Sequence, residues 1–331
     1  MTTEGYRGRS VITPSPQFSI SCRLSMAVSP EAAKSAVLAS SYGFVLSPQS
    51  QIKEIKLTQY VLMRAIALPI IFLAACLPAS GSSGDSIRVL VYNIHAGKDA
   101  AKVDNLERVA TIVRDSRADV VMLQEVDNRT RRSGGVDQLA KLRELTGYNG
   151  VFGKAIDYDA GEYGIAILSR WPIARTRLTS LPVTLEDSAA RARYEPRAAL
   201  VARIGSPFGT IRVVDTHLDA GRSDSTRVQQ AGTLLALANA ERDSGFTIVG
   251  GDLNAEPESA VLKILDGNGW TDLFARCGAG ERYSFPADKP AKRIDYLLAG
   301  SDVTCAKASV LETQASDHRP VLFEIIRRRA N

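Results

Sequence analysis

Acids, amides and imidazoles recur in this chain at the ends of apolar runs. The three histidines all lie in short polar clusters that close or flank such runs, namely His95, His217 and His318. Glu125 closes another run, and Asp252 with Asn254 follows a further one. Hard oxygen ligands beside imidazole suit a divalent cation such as Mg²⁺ or Mn²⁺. The pattern therefore predicts a metal site assembled at the ends of several strands.

The positions of apolar residues predict the elements that must hold this site. Runs of β-branched and aromatic residues bounded by Gly, Pro or Asp predict strands over 87–92, 119–125, 164–168, 198–204, 211–214, 246–249, 294–298, 308–311 and 321–326. Helical spacing predicts helices over 106–114, 136–146, 226–241 and 258–265. Many strands interleaved with helices favour an α/β fold, a four-layer sandwich of two packed mixed β-sheets flanked by helices, as one domain over 86–329.

Asp252 and Asn254 are placed to act together. They lie two residues apart, so on an extended backbone both side chains point to the same face. The pair could therefore hold one phosphate. The alternative is an Asx turn, because Asp and Asn side chains also stabilise turns.

The first 85 residues predict an exported protein. Residues 63–76 combine a short charged start with an apolar run of about ten residues, the length of a cleaved signal and too short for a comfortable membrane span. Its end at Cys76 resembles a bacterial lipobox, in which the cysteine is acylated. Residues 77–85 form a Ser/Gly-rich tether, and 1–62 are expected to be an untranslated or unstructured extension. The alternative is a membrane anchor at 61–79.

The positive charge is concentrated in that N-terminal part. Residues 1–76 hold seven Lys and Arg against three Asp and Glu, so they carry four of the five net positive charges. The remainder is nearly neutral. It lacks the broad basic face that binding to a phosphate backbone normally needs, although a local patch is compatible with a neutral sum.

The cysteines fit an oxidising compartment. Cys22 lies in the extension and Cys76 is the candidate lipid site, which leaves Cys277 and Cys305 as one pair in the body of the protein. Export would permit a disulfide between them. The alternative is two separate small core residues, since sequence alone does not give the distance between them.

Six short segments carry a resemblance to a known family. They are Tyr92–Ile94, Leu123–Glu125, Thr216–Leu218, Gly251–Asn254, Arg293–Tyr296 and Ser316–Pro320. In this order they resemble the motifs of the endonuclease/exonuclease/phosphatase superfamily, which includes deoxyribonuclease I, abasic-site endonucleases, bacterial neutral sphingomyelinases and inositol polyphosphate phosphatases. Each motif alone is weak, but six in series are specific. The resemblance implies the two-sheet sandwich described above.

The resemblance also implies a metal shell. Glu125 would be the principal ligand, Asn93 a second contributor to the metal or phosphate shell, and Asp317 a further metal ligand. A glutamate that closes an apolar run needs compensation, which a divalent ion supplies. The alternative for Glu125 is an ordinary strand end in water.

The catalytic roles follow from the same resemblance. Asp252 would orient or deprotonate the attacking water, while Asn254 would hydrogen-bond a phosphoryl oxygen. His318 would be the base, with Asp295 holding its other ring nitrogen. His217 would contact the phosphate or protonate the leaving group, with a satisfied core histidine as the alternative.

Three further residues receive less specific roles. Arg197 matches a recurrent arginine of the family that stabilises phosphoryl charge, with a surface salt bridge as the alternative. Glu162 would orient His217. His95 is expected at the rim of the site, without a catalytic role.

These expectations combine into an exported, Mg²⁺-dependent phosphoric-ester hydrolase, a phosphodiesterase that uses water activated by His318. Its substrate would be a lipid headgroup, a small phosphodiester or a nucleic acid, and a secreted nuclease of the same fold is an alternative. A catalytically silent binding module is a third possibility, which the complete set of acids and histidines disfavours. The loops at 127–136 and 182–194 are expected to select the substrate, and Arg129, Arg131 and Arg132 are expected in an exposed polar loop.

Overall fold

A computed structural model of the chain describes residues 86–184, 194–240 and 245–328. The predicted extension, signal segment, lipid site at Cys76 and tether lie outside the described residues, as does most of the loop at 182–194. Within the part that is described, no helix is long and apolar enough to cross a membrane.

The described residues form alternating strands and helices. The strands are β1 (Ser86–Asn93), β2 (Val120–Asn128), β3 (Asn149–Tyr158), β4 (Gly161–Ser169), β5 (Ile173–Ser180), β6 (Ala198–Ser206), β7 (Gly209–His217), β8 (Gly245–Asp252), β9 (Thr271–Asp272), β10 (Asp295–Ala299), β11 (Val303–Val310) and β12 (Val321–Arg327). The α-helices are α1 (Leu106–Asp115), α2 (Gln138–Thr146), α3 (Ser225–Asn239), α4 (Ala260–Gly267) and α5 (Leu273–Cys277). Two single 3₁₀ turns lie at His95–Gly97 and Arg131–Ser133.

The strands form two six-stranded mixed sheets. The first has the order β11-β12-β1-β2-β4-β3, and the second has the order β5-β6-β7-β8-β10-β9. In each sheet one parallel pair lies near the centre, β1 with β2 and β7 with β8, and the other pairings are antiparallel. The predicted fold class is confirmed.

Three apolar clusters separate the layers. One lies between the sheets and includes Val91, Met122, Val213 and Ile248, all at most 2% exposed. A second packs α3 and α4 on the outer face of one sheet, and a third packs α1 and α2 on the outer face of the other. Full burial of each aliphatic side chain stabilises the fold by roughly 1.5 to 3 kcal/mol. The strands that carry the site residues are therefore held rigidly from both faces.

The helix ends follow from local sequence. Asp137 caps α2 by accepting from the backbone nitrogen of Ala140 at 2.9 Å, and Gly147 ends it with φ of 75°. Ser259 caps α4 in the same way, accepting from Leu262 at 3.3 Å. These caps explain why the predicted helices are close to the observed ones.

Sequence periodicity missed the short elements β9 and α5 and two longer edge strands, β3 and β5. Each of these two edge strands pairs with a single neighbour and exposes much of its length, so its apolar pattern is diluted. The pair of cysteines is joined in the structure, with the Cα atoms of Cys277 and Cys305 at 5.8 Å. This disulfide ties the end of α5 to the edge strand β11.

Candidate active site

The parallel strand pairs bring the predicted site residues to one edge of the two sheets. Asn93 ends β1, His217 ends β7 and Asp252 ends β8. Asp252 is in register with His217 on β7 and with Asp295 on β10. Three polar side chains thus lie side by side on adjacent strands. The carboxyl ends of parallel strands are where open α/β sheets gather ligand-binding groups.

Backbone positions with positive φ help to direct the side chains of Glu125 and Asp252. The pairing of β2 with β4 shifts register between Leu123 and Val126, and Glu125 lies in this bulge with φ of 58°. Gly251 has φ of 122°, and a Cβ there would collide with the carbonyl of Thr216. A positive φ at a non-glycine residue costs of order 1 kcal/mol or more and is typical of functional sites. The surrounding structure therefore holds the backbone of Glu125 in a conformation that non-glycine residues rarely adopt.

These residues surround a cavity of about 300 Å³. Its polar lining comprises Glu125, Arg132, Glu195, Arg197, His217, Asp252, Asn254, Asp317 and His318. Its remaining lining is apolar or aromatic, formed by Ile156, Tyr158, Tyr163, Ala220, Phe285 and Ile294. The cavity therefore has a strongly polar side and an aromatic side.

Asn93 joins two carboxylates at the floor of the cavity. Its Nδ2 donates to Oε1 of Glu125 at 3.0 Å and to Oδ2 of Asp252 at 3.1 Å. Its Oδ1 accepts from the backbone nitrogen of His95 at 3.1 Å. In this arrangement Asn93 positions the acids, and its assignment as a metal ligand stays a prediction.

Asp295 holds His318 as predicted from the resemblance. Oδ2 of Asp295 lies 2.9 Å from Nδ1 of His318, and the ring of Phe285 packs against the imidazole with centroids 4.7 Å apart. Burial lowers the pKa of His318, but the charge and hydrogen bond of Asp295, with the charge of Asp252, outweigh it and raise this pKa to about 10. The ring is therefore an imidazolium at neutral pH.

Asp252 occupies the centre of the polar cluster. Its Oδ2 lies 3.5 Å from Nε2 of His217 and 3.7 Å from Nε2 of His318, and its Oδ1 accepts from the backbone nitrogen of Asn254 at 2.9 Å. Burial and the neighbouring charge of Asp295 raise the pKa of Asp252 to about 7. Near neutral pH this carboxylate exchanges a proton readily, which is what a general base needs.

His217 is held by an arginine. Nη1 of Arg197 lies 3.1 Å from Nδ1 of His217, and the same Nη1 donates to Glu195 at 2.5 Å. Burial, together with the positive charges of Arg197 and His318, keeps the pKa of His217 well below its usual value. His217 is thus a neutral imidazole at physiological pH. Arg197 does form a salt bridge, with Glu195, but only 7% of its side chain is exposed, so the alternative of a surface residue is wrong.

The prediction that Glu162 orients His217 is wrong. Glu162 instead accepts from Asn128 at 2.8 Å and pairs with Lys154 at 3.4 Å. Glu162 lies on β4, in the other sheet from the strand β7 that carries His217.

Asp317 and His95 lie beside each other at the edge of the site. Nδ1 of His95 is 3.8 Å from Oδ1 of Asp317, and Oγ of Ser316 donates to the same oxygen at 3.3 Å. Asp317 lines the cavity and is 33% exposed at its side chain. His95 does not line the cavity in the described part of the chain, in keeping with its expected rim position.

The acidic groups of the site fit a divalent cation. The carboxylates of Asp252 and Asp295 lie within 4.8 Å of each other and of a ring nitrogen of His318. Oδ1 of Asp295 is buried without a hydrogen-bond partner, and the carboxylates of Glu125 and Asp317 also face the cavity. Four carboxylates gathered here, two of them buried, are costly unless a cation compensates their charge.

A second, larger cleft of about 420 Å³ opens at the opposite ends of β7 and β8. It is lined in part by Arg203, Arg212 and Trp270. None of the predicted site residues lies among its described lining residues, so the chemistry belongs to the smaller cavity.

Sequence reasoning missed several residues of the cavity. Glu195 is one of them, although its spacing of two residues from Arg197 places both side chains on one side of an extended chain. Arg132 was expected in an exposed loop; it is partly exposed, yet its head group is fixed on Asp127. Tyr158, Tyr163 and Phe285 carried no signal that distinguishes a cavity wall from a core.

Comparisons with known proteins agree with this geometry. A family model described as the Endonuclease/Exonuclease/phosphatase family matches residues 90–318. The uncharacterized protein YbhP of Escherichia coli strain K12 is 28% identical over 253 residues, covering 72% of this chain and 96% of YbhP.

Solved structures show the same fold at low identity. An endonuclease/exonuclease/phosphatase from Beutenbergia cavernae has a TM-score of 0.63 at 20% identity, covering 75% of this chain and 73% of that one. A mannosyl-6-phosphatase of Bacteroides thetaiotaomicron gives 0.60 at 17% identity, covering 72% and 99%. A humanized TDP2 of D. rerio gives 0.57 at 18% identity, covering 73% and 99%.

Proposed function

Because the chain belongs to the endonuclease/exonuclease/phosphatase family, whose members hydrolyse phosphoester bonds, we propose that it is a divalent-metal-dependent phosphodiesterase. The observation that carries this proposal is the position of Asp252 between two imidazoles in different charge states, His217 and His318, at the floor of the cavity. A base flanked by hydrogen-bond donors is the arrangement that hydrolysis of a phosphoester needs.

The roles of the two acid–base residues follow from their pKa values. Asp252, with a pKa of about 7, takes a proton from the attacking water. His318, with a pKa of about 10, is protonated and donates from Nε2 to a phosphoryl oxygen. We therefore propose Asp252 as the base in place of His318, because an imidazolium has no free lone pair to accept a proton.

His217 and Asn254 complete the donor set. A neutral His217 can donate from Nε2 but does not supply the formal charge of an imidazolium. Nδ2 of Asn254 lies 3.0 Å from Nε2 of His217, so both groups reach the same point of the cavity. We propose that they bind the phosphoryl and leaving-group oxygens, as donors placed before the reaction begins.

Glu125 and Asp317 would hold the cation, with Mg²⁺ or Mn²⁺ as the ion that oxygen ligands favour. When bound, the ion would neutralise charge on the phosphoryl oxygens. Asn93 keeps Glu125 and Asp252 in place for this arrangement by donating to both.

The diester preference, export and lipid attachment at Cys76 are parts of the same proposal. The nearly neutral body of the protein is better suited to a small or lipid-linked phosphodiester than to long nucleic acid. The apolar run before Cys76 supports attachment to a membrane outside the cytoplasm.

The first experiment measures hydrolysis of bis(p-nitrophenyl) phosphate and p-nitrophenyl phosphate by the full chain, with Mg²⁺ or with chelator. We expect diester turnover that requires the metal and falls by a factor of about 10² to 10⁴ in Asp252→Asn. Glu162→Gln is the matched control and should keep its activity, since Glu162 contacts Asn128 and Lys154 on the strand side.

Turnover of the monoester alone would replace the diesterase with a phosphatase. Turnover of neither ester by a folded, metal-loaded protein would contradict the proposal for these substrates. Hydrolysis assays with sphingomyelin, plasmid and inositol phosphates would then distinguish a lipid phosphodiesterase, a nuclease and a phosphatase.

A further inference from the structure

Arg132 is fixed rigidly at the mouth of the cavity. Its Nε donates to Oδ2 of Asp127 and its Nη2 donates to Oδ1 of the same residue, both at 2.8 Å. Asp127 is fully buried on β2. A bidentate pair of this kind is a strong, directional contact that sets the plane of the guanidinium. Arg132 is therefore a structural part of the cavity wall.

The guanidinium braces two tyrosines. Its Cζ lies 4.6 Å from the ring centroid of Tyr158 and 5.2 Å from that of Tyr163. The two rings are 6.1 Å apart at an angle of 53°. Tyr163 is 6% exposed, whereas Tyr158 is 42% exposed and is one of the few large apolar side chains left in solvent within the described residues.

The braced ring faces the reacting centre. Tyr158 and Arg132 line the same cavity as Asp252, Asn254 and His318. Nη1 of Arg132 has no hydrogen-bond partner among the described residues. The wall thus offers one open aromatic face, backed on its other side by a guanidinium.

We propose that Tyr158 and Arg132 form a subsite for a ring on the alcohol part of the phosphoester. The ring stacks on the face of Tyr158 that the guanidinium does not cover, and Arg132 holds Tyr158 in place from the other face. The substrate class is then an aromatic or nucleoside-like phosphoester. This inference rests on the proposed function only in placing the ester phosphate at Asp252 and His318.

The chemistry of the wall favours a ring over an acyl chain. The binding of an acyl chain is stabilised mainly by contact with many flexible apolar side chains. This wall is instead one rigid aromatic plane held in place by the guanidinium of Arg132. A ring stacks on such a plane and loses little conformational freedom in doing so. Stacking of this kind is typically worth a factor of about 5 to 150 in affinity by alanine substitution.

The test compares two small ligands with the same phosphate. Calorimetry would measure binding of phenyl phosphate and of methyl phosphate to the metal-loaded full chain at a pH where turnover is negligible. We expect phenyl phosphate to bind more tightly. Tyr158→Ala should weaken phenyl phosphate about tenfold and leave methyl phosphate unchanged, while Tyr158→Phe keeps the preference.

Two further variants make the test specific. Tyr283→Ala is the matched control, since Tyr283 also lies beside an arginine, with Cζ of Arg282 at 5.4 Å, but outside the cavity lining. Arg132→Lys keeps the charge but loses the bidentate contact, so it should reduce the preference for phenyl phosphate.

The inference is overturned if Tyr158→Ala weakens both ligands equally, leaves phenyl phosphate unaffected, or if the wild-type protein binds neither ligand. Because binding needs no turnover, a protein that fails to hydrolyse diesters can still pass this test. The ring subsite and the proposed hydrolysis therefore fail separately.

Discussion

Arg197 donates from Nη1 to Nδ1 of His217 across 3.1 Å. A guanidinium has no acceptor atom, so this contact requires Nδ1 to accept, and we expect the single ring proton of the neutral imidazole on Nε2. Nε2 then faces Oδ2 of Asp252 at 3.5 Å. The arginine thereby prepares His217 as a donor toward the reacting centre.

This relationship predicts the tautomer of His217. The amide of Asn254 also approaches Nε2 with its nitrogen, at 3.0 Å, and the ring cannot accept from both donors. We expect Nδ1 to accept from the guanidinium because the guanidinium is charged, while Nδ2 of Asn254 keeps its hydrogen bond to the carbonyl oxygen of Leu218, at 3.1 Å, and turns away from Nε2. Long-range ¹⁵N–¹H NMR should show a proton on Nε2, and with only three histidines in the chain the signals are assignable by substitution.

Loss of Arg197 should release this control. Arg197→Gln should lower kcat by a factor of about 10² or more, since a donor aimed at the transition state typically contributes that much. In this variant the imidazole of His217 should also show mixed tautomers. Arg175→Gln, at an exposed arginine on edge strand β5, is the control. A proton on Nδ1 of His217 in the wild type would contradict the assignment.

Metal binding should stabilise the fold through Glu125. A cation that binds the folded state at about 100 times its Kd raises the free energy of unfolding by about 2.7 kcal/mol. Urea unfolding with and without Mg²⁺ should show a gain for the wild type and little or none for Glu125→Gln. Glu162→Gln should gain as much as the wild type. An equal gain in Glu125→Gln would remove Glu125 from the ligand set.

The charge of His318 predicts a pH dependence of stability in chelator. An unfolded histidine releases its proton near pH 6.5, but the pKa of folded His318 is about 10. The stabilisation is therefore fully present below pH 6.5 and is lost as pH rises from there to about 10, by at most about 1.4 kcal/mol per pH unit.

The measurement is the difference in unfolding free energy between the wild type and His318→Gln. This difference should shrink as pH rises from 6.5 to 10. A constant difference over this range would mean that His318 is neutral in the folded protein, and the role of base would return to it.

Which features of the site the sequence predicts depends on whether they arise from neighbouring residues or from distant contacts. The strand ends at Asn93, His217 and Asp252 were predictable because apolar runs show where buried strands stop. The partner of His217 was not, because Arg197 lies just before β6, 20 residues away from His217 in sequence. The protonation state of His318 was not predictable either, since its pKa depends on Asp295 and on burial together.

The edge strands and the aromatic wall show the same limit. β3 and β5 pair on one side only, which weakens the alternation that marks a strand. Tyr158 ends β3 and is braced by Arg132, which reaches it from a different loop. Contacts between distant, partly exposed residues leave no periodic signal in a single sequence.

A buried pair beneath the site carries the last prediction. Nε2 of Gln124 donates to Oδ1 of Asp215 at 2.7 Å, between the two sheets, and both side chains are fully buried. Oδ2 of Asp215 and Oε1 of Gln124 are each buried without a partner. Burial raises the pKa of Asp215 well above its usual value. A protonated Asp215 carries a hydrogen that it can donate to the unpaired oxygen of Gln124.

Asp215→Asn should therefore preserve the fold, since an amide offers the same donor and acceptor. Asp215→Ala should cost about 1 to 3 kcal/mol, because Gln124 then loses its buried partner. Since the pKa of Asp215 is raised by folding, its contribution is greatest below pH 3.9 and is lost as pH rises through the folded pKa. Asp215→Asn should thus gain stability relative to the wild type between pH 5 and 8 in urea unfolding. A loss of stability in Asp215→Asn that grows with pH would mean that the native carboxylate is ionised and compensated between the sheets.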